Sequence, residues 1–436
     1  MRRLVILLVI FLGLAGFVYF YEIAGREKRE KAEELASSLL GVEQDQITLV
    51  EIRRPGGESI RLEKVNDQWV LRAPVEAVAD RTNVDSLVRN LSTAKRERSF
   101  EQVSPEDLEA YGLKNPPLEI LIKAGEEEKT ILLGNKDFSG NNLYVQVAGA
   151  PEVFLTSSFL MTAADKKVDD WRSKDVLVFD RGKVEEIELR RGEEVVRLVR
   201  KDETWRLVDP IEDPADQTKV SSLLGTLEFA RVEEFVSESP DDLKEFGLDR
   251  PSVTVRLRLA GSDTWLQLDL GKEAGENYYA RDPQRKPVFT VKKSVYDDLM
   301  QDLIAFRDKD VVNVNQNDVK SLEIRHGGEV VRIRREEFRW LGDSPEAVRD
   351  KEIPPYRLWY PLDDLRFVEL ADGWEPDRDP DTEVVILQED GTERRFRFWQ
   401  EGETVWAERV EDGRAGKIDL EEYKKIITRP EELVQE

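Results

Sequence analysis

The sequence reads as an α+β protein: an N-terminal transmembrane helix, then tandem repeated domains of mainly antiparallel sheet with packed helices. Three observations predict this. One apolar run opens the chain, the rest matches itself at a shift of about 135 residues, and each repeat alternates strand-like runs with few helices. The 436 residues are ample for more than one core, and at 40% hydrophobic the composition is globular despite 36% charge. A net charge of −25, from 91 Asp+Glu against 66 Lys+Arg, disfavours nucleic acid and anionic headgroups as main partners. No cysteine is present, which excludes disulfides, thiol nucleophiles and Cys-ligated metals; His326 is the single histidine, so His-pair metal sites are excluded too.

Arg2 and Arg3 precede the run Leu4–Tyr21. Its eighteen residues span roughly 27 Å as a helix, against a bilayer core of about 30 Å. Tyr19, Phe20 and Tyr21 fall where an interfacial aromatic belt would lie. The alternative is a cleaved secretory signal; the absence of a small-x-small site before Glu22 and the length of the run favour an uncleaved anchor over residues 1–21. Arg2 and Arg3 oppose Arg26, Lys28, Arg29 and Lys31, so counting charges gives a close result. A short cytoplasmic N-terminus with an exported body is the reading adopted. Residues 22–44 read as a solvated helical stalk, helical to about residue 40 with Gly41 as its stop, and Leu35, Leu39 and Leu40 facing the first repeat.

Repeats are expected over 45–180, 181–316 and 317–436. Val50-Glu-Ile-Arg-Arg54 matches Ile187-Glu-Leu-Arg-Arg191 and Leu322-Glu-Ile-Arg325, each followed by a Gly-containing turn and a second strand. A Trp with Pro five positions later comes next: Trp69/Pro74, Trp205/Pro210 and Trp340/Pro345. Val84, Leu87, Val88 and Leu91 then match Val220, Leu223, Leu224 and Leu227, one apolar helix stripe with Asp80/Asp216 or Thr82/Thr218 as N-caps. Ser104 with Asp107, and Ser239 with Asp242, resemble capping boxes of short helices ending at Gly112 and Gly247. Asp170–Val176 matches Ala305–Val311 where the first two repeats end. In the third repeat the helix is expected to be replaced by the Pro- and aromatic-rich stretch Ile353–Phe367.

The IELRR-type strand, the Trp-x4-Pro element, the ADxTxVxxL helix and the (Tyr/Phe)-Gly-Leu-x2-Pro turn, behind a membrane anchor, resemble the bacterial domain of unknown function 4340 family across about residues 45–430. Members are commonly encoded beside an ABC-2-type permease, its ATPase and a gliding-motility-type auxiliary protein. The resemblance therefore implies a non-enzymatic accessory or scaffold component of an ABC transport system at the bacterial cytoplasmic membrane, with those three proteins as partners. It implies no catalytic, cofactor or metal residues.

The residues themselves point the same way. His326 sits beside the Gly327-Gly328 turn with no partner for a proton relay. Ser92-Thr-Ala-Lys95 has the SxxK spacing of acyl enzymes but no SDN or KTG companion. Asp377-Arg-Asp-Pro-Asp-Thr-Glu383 spaces acids as a calcium loop does, yet lacks the sixth-position Gly and the bidentate Glu at position twelve. The pairs Asp169-Asp170, Asp297-Asp298 and Asp363-Asp364 read as solvated face. Tyr356, Trp359, Tyr360 and Phe367, with Trp374 and Trp399 nearby, carry two readings: filling of the third core, or contact with a partner or an exported surface polymer.

Overall fold

The computed structural model describes residues 37–371 and 373–434. The anchor at residues 1–21 and most of the stalk lie outside them. Among the described residues no helix is long and apolar enough to cross a membrane. The stalk helix does not extend to residue 40. Ser38 instead bridges Lys95, and Leu39 donates its N–H to Ala94 O at 2.6 Å. Leu39 and Leu40 are buried in the first core, so burial of two adjacent apolar residues overrides helix continuation there.

The first repeat contains β1 (Ile47–Arg53), β2 (Ile60–Val65), β3 (Gln68–Ala73), β4 (Ala77–Val78), helix α1 (Arg81–Thr93), β5 (Arg98–Phe100), α2 (Pro105–Ala110), β6 (Leu118–Ala124), β7 (Glu127–Lys136), β8 (Asn142–Val147), β9 (Val153–Ser157), α3 (Phe159–Ala164) and α4 (Val168–Trp171). The strands form one antiparallel sheet in the order β4-β3-β2-β1-β6-β7-β8-β9-β5. Period-two patterning sets the register: Val50 lies opposite Leu62 and Ile122, and Ile52 opposite Ile60 and Ile120, so one face is continuously apolar. Val84, Leu87, Val88 and Leu91 of α1 bury their stripe in this core, joined by Leu160 and Trp171. Asp80, not Thr82, caps α1, accepting from Asn83 N–H at 2.8 Å.

Ser104 and Asp107 close the expected capping box at 3.0 and 3.1 Å. Gly112 follows with φ +70°, which returns Leu113 to the interior. This Tyr-Gly-Leu turn seats on β7, where a Cβ on Gly134 would lie 2.2 Å from Tyr111 O. The backbones therefore touch only because position 134 is bare. Gly134→Ala is expected to lower the thermal midpoint, at a cost of about 1–3 kcal/mol. A midpoint equal to wild type would mean the turn is not seated there.

The chain divides into two compact units. One holds residues up to 180 with 226–254 and 266–297; the other holds 181–225, 255–265 and 298–436. The second repeat contributes to both. It contains β10 (Val184–Arg191), β11 (Glu194–Lys201), β12 (Thr204–Asp209), β13 (Asp213–Pro214), α5 (Gln217–Phe229), β14 (Glu234–Ser237), β15 (Val253–Leu259), β16 (Trp265–Ala274), β17 (Asn277–Arg281), β18 (Val288–Lys292) and α6 (Lys293–Leu299). Strand order repeats that of the first, β13-β12-β11-β10-β15 followed by β16-β17-β18-β14. Asp216 accepts from Lys219 N–H at 2.8 Å, as Asp80 does from Asn83. The stretch Ser239–Leu248 departs from expectation. It forms turns, not a helix, and Asp242 accepts from Lys244 N–H two residues on, a local turn that competes with helix initiation.

The third repeat contains β19 (Val319–His326), β20 (Glu329–Glu336), β21 (Arg339–Ser344), α7 (Pro355–Asp363), β22 (Phe367–Leu370), β23 (Thr382–Gln388), β24 (Glu393–Glu401), β25 (Thr404–Arg409), β26 (Arg414–Ile418), α8 (Leu420–Ile426) and α9 (Pro430–Leu433), in the sheet order β21-β20-β19-β23-β24-β25-β26-β22. Here the expected replacement of the helix is corrected. Helix α7 keeps the place of α1 and is four residues shorter, 9 against 13. Pro354 and Pro355 stand at its start, where a missing N–H costs nothing, and Leu358, Trp359, Pro361 and Leu362 are its buried residues. Its interior Pro361 gives up one intrahelical N–H bond close to the end of the helix and is itself buried.

The segments that close the first two repeats are built alike, each within one unit. Asp80 N–H donates to Trp171 O at 2.9 Å and Ala79 bridges Arg172; Asp216 N–H donates to Phe306 O at 2.9 Å and Ala215 bridges Arg307. Each segment carries an arginine in a buried ion pair or close to it, Arg172 buried and Arg307 half-buried. Arg172 binds Asp169 at 2.6 Å and Glu238 at 2.7 Å beneath the ring of Phe235. Arg307 binds Asp213 at 2.6 Å.

Candidate interaction surface

Several of the groups with a catalytic spacing are held in structural contacts. Ser92 Oγ donates to Arg89 O at 3.1 Å inside α1, while Lys95 is exposed and paired through its backbone with Ser38. His326 ends β19 and lies 2.7 Å from Thr382 Oγ1, which lies 2.7 Å from the Tyr423 hydroxyl, a polar chain ending in the third core. In the acidic loop at 377–383, Arg378 grips both oxygens of Asp381 at 2.7 and 2.9 Å, and Gln400 N–H donates to the same carboxylate. No cluster of metal-ligating side chains occurs among the described residues. Asp169 pairs with Arg172, Asp297 pairs with Lys293, and the backbone of Asp363 accepts from Arg366.

The four aromatic residues singled out in the third repeat divide by exposure. Trp359 and Phe367 are each 1% exposed and belong to the core, so they are not available to a partner. Tyr356 and Tyr360, one turn apart on α7, are 58% and 51% exposed. The reason is helical phase: positions 358, 359 and 362 face the sheet, and 356 and 360 face away. Trp399 is buried, its indole N–H donating to Arg378 O, whereas Trp374 lies half-buried and stacked on Trp406 at 4.9 Å.

A wide concavity lies in the first unit, where no sequence motif points to one. It has a volume of about 1400 Å³. Its walls come from Val42 to Asp45, the β2–β3 hairpin with Trp69, the first turns of α1, and the segment Ser173–Val178. The hairpin is tight because Asn66 and Asp67 both take positive φ (49° and 64°), a two-residue turn suited to the strand twist. The far wall is held by Asn83 Nδ2 donating to Asp170 O at 2.7 Å and Ser173 N–H donating to Val78 O at 2.8 Å. Arg231 pairs with Asp175 at 3.1 Å, and Arg285 donates to Asp175 O at 3.1 Å. Burial pulls the Arg285 guanidinium below its ordinary value, opposed by Asp282 and Asp175. Charges around the cleft are thus largely matched, and its apolar lining includes Val42, Trp69, Val78 and Val88.

Most surface charge serves the sheets. Partial burial pushes the Glu323 carboxyl up, but Arg332 and Arg325 outweigh it and hold it below its ordinary 4.5. Glu186 is held low in the same way by Arg197 and Arg258. A carboxylate depressed in the fold contributes stability that is complete above 4.5 and is lost as pH falls through the depressed value. Glu323→Gln is therefore expected to flatten the fall of the denaturant midpoint between about pH 5 and pH 3. An unchanged acid slope would show that these pairs carry no linkage.

The repeat is also what comparison with known proteins detects. A family model described as a domain of unknown function (DUF4340) matches residues 69–206 and again 205–384. Each match starts at the Trp of one repeat, and the first runs just past the Trp of the next. No curated protein matches the chain. With two tandem matches running from Trp69 to Val384, over half of its 436 residues, the protein belongs to the DUF4340 family.

Proposed function

We propose that this protein is a non-enzymatic, membrane-tethered accessory of an ABC-2-type transport system, its repeated body exported and its partners the permease, the ATPase and an auxiliary protein. The observation that supports the non-enzymatic part is that Ser92, His326, Asp381 and Asp169, four of the chemistry-bearing candidates, are bound within the fold. What the first unit leaves open is a wide, charge-matched cleft, a feature suited to recognising another surface. The apolar run at residues 4–21 and the family's usual neighbours support the tether and the partners. The test is affinity purification of the full chain from mildly solubilised native membranes. Stoichiometric recovery of permease and ATPase is expected; recovery of the protein alone, where other transporter complexes survive, would sink the proposal.

A second reading, an exported module for a cell-surface polymer, draws on the half-buried Trp374–Trp406 stack with Lys417 at 5.3 Å from the Trp406 ring. Such a patch offers apolar area beside a cation, as sugar-binding surfaces do. Trp406→Ala would abolish glycan retention on that reading and leave it unchanged on the first.

A further inference from the structure

The three repeats are entered in the same way, by a short segment pairing antiparallel with the chain just after the main helix. Leu39 N–H donates to Ala94 O and Arg96 N–H to Ser37 O; Val176 N–H donates to Ala230 O and Val232 N–H to Lys174 O; Val311 N–H donates to Leu365 O and Phe367 N–H to Lys309 O. Between each pair of bonds lies one bridge, Ser38 with Lys95, Asp175 with Arg231 and Asp310 with Arg366. In the second and third repeats the entering segment is the end of the preceding repeat. In the first it is the end of the stalk, and the apolar run at residues 4–21 lies behind it. That run stands, in sequence, where a preceding repeat would.

The same end of the first sheet carries two bare phenylalanines. Register locates them. Glu97 N–H, one residue past the entering pair, donates to Leu155 O at 2.9 Å; Ser157 lies opposite Asn142, and Ser158 N–H donates to Asn141 O at 2.8 Å. Phe138, in the loop 137–141, is fully exposed, and Phe159, the first residue of α3, is 73% exposed. The loop has five residues, whereas β16 and β17, and again β24 and β25, are joined by two. It is a built turn: Asp137 accepts from Ser139 Oγ at 2.8 Å and from Asn142 N–H at 3.3 Å, and Gly140, at φ +75°, donates to Asp137 O at 3.0 Å. These bonds fix the backbone on both sides of Phe138. Lys95 and Lys136, both exposed, lie at this end as well.

We propose that Phe138 and Phe159 seat in the interface of the bilayer that carries the anchor, holding this end of the first repeat against the membrane. The inference rests on the tether in the reading above. Fifteen residues, 22–36, separate the apolar run from Ser37, a reach of about 50 Å even when fully extended. A contact tethered at such range has an effective concentration of millimolar order, so two rings suffice where a free protein would not stay bound. Phenylalanine brings a large apolar area to an interface, and Lys95 and Lys136 complement lipid phosphate beside it. The net charge of −25 does not oppose this, because exposed charges farther than about 10 Å are screened at ordinary salt. A bilayer is favoured over a protein surface because the chain itself delivers the membrane to this end.

The chain has no cysteine, so Asn141→Cys carries a single nitroxide beside the two rings. Glu126→Cys carries one at the opposite end of the same sheet, in the turn between β6 and β7. Both full-length variants are placed in nanodiscs of phosphatidylcholine and phosphatidylglycerol. Relaxation by a water-soluble nickel chelate is expected to be several-fold weaker at 141 than at 126, and relaxation by oxygen, which concentrates in lipid, stronger. Equal accessibility at the two positions in disc-bound protein would overturn the proposal, assign the rings to a protein surface and leave the tether standing. Because both rings are exposed, Phe138→Ala with Phe159→Ala leaves the fold intact. The pair is expected to restore nickel access at 141, and unchanged protection would overturn the proposal. Co-elution with the discs reads the tether separately. Protein that elutes without discs removes the tether, and this inference with it.

Discussion

Asp213→Ala is expected to lower the stability of the second unit by about 3–5 kcal/mol, seen as a large drop in the denaturant midpoint. Asp213 is 6% exposed and binds two arginines, Arg307 at 2.6 Å and Arg414. Arg414 also donates to Asp308 O, and Asp308 pairs with Arg409, which holds Asp412 at 2.7 Å and Asp310 O at 3.0 Å. Three carboxylates and three guanidiniums thus balance, with Asp412 at the exposed edge and the other five groups largely buried. Burial, and after it the charge of Arg206, pull the Arg414 guanidinium below its ordinary value, which leaves Asp213 and the Asp308 carbonyl to compensate the cation. Removing Asp213 leaves two cations facing each other across a cavity. Replacing the set together by apolar residues is a different experiment, because well-packed hydrophobes often equal a buried ion network. A double variant, Asp213→Ala with Arg414→Ala, should therefore lose clearly less than the sum of the single losses. A single-variant loss below about 1 kcal/mol would mean that water reaches the network and screens it.

Much of the fold was legible because its markers are local. The matched strand, Trp-x4-Pro and helix-stripe elements recur with fixed spacing, and backbone pairing follows from period-two burial at residues such as Val50, Ile52, Ile187 and Leu189. Asp80 and Asp216 act as N-caps because an aspartate just before an apolar stripe has only one good use. Besides the end of the stalk helix, two local readings failed. At Ser239–Leu248 the capping pattern is present, but Asp242 closes a shorter turn, an outcome decided by fractions of a kcal/mol that no pattern encodes. At Ile353–Phe367 the prolines masked a helix whose stripe at 358, 361 and 362 was nonetheless written in the chain. The buried ion network was not legible either. Asp213 lies 201 residues from Arg414, and no local signal joins them.

Trp359→Ala is expected to destabilise the protein by about 3–5 kcal/mol, while Tyr356→Ala and Tyr360→Ala each stay within about 0.5 kcal/mol of wild type. The three residues lie within five positions, so the contrast tests helical phase directly. Trp359 is 1% exposed and stacked on Trp340, and deleting its indole opens a large cavity between α7 and the sheet. Tyr356 and Tyr360 project outward from the same helix, and Tyr356 meets only the Arg357 guanidinium, 5.6 Å from its ring. Thermal unfolding of the three variants decides the matter. A near-neutral Trp359→Ala would mean that α7 is rotated and that Trp359 is surface after all. A costly Tyr360→Ala would mean that the helix buries its opposite face. The ordering also governs how any binding assay on the third repeat is read. Loss of binding in Trp359→Ala reports unfolding, because the residue that was removed held the core. Loss in Tyr356→Ala or Tyr360→Ala with an unchanged melting curve reports contact, because nothing in the fold depends on those rings.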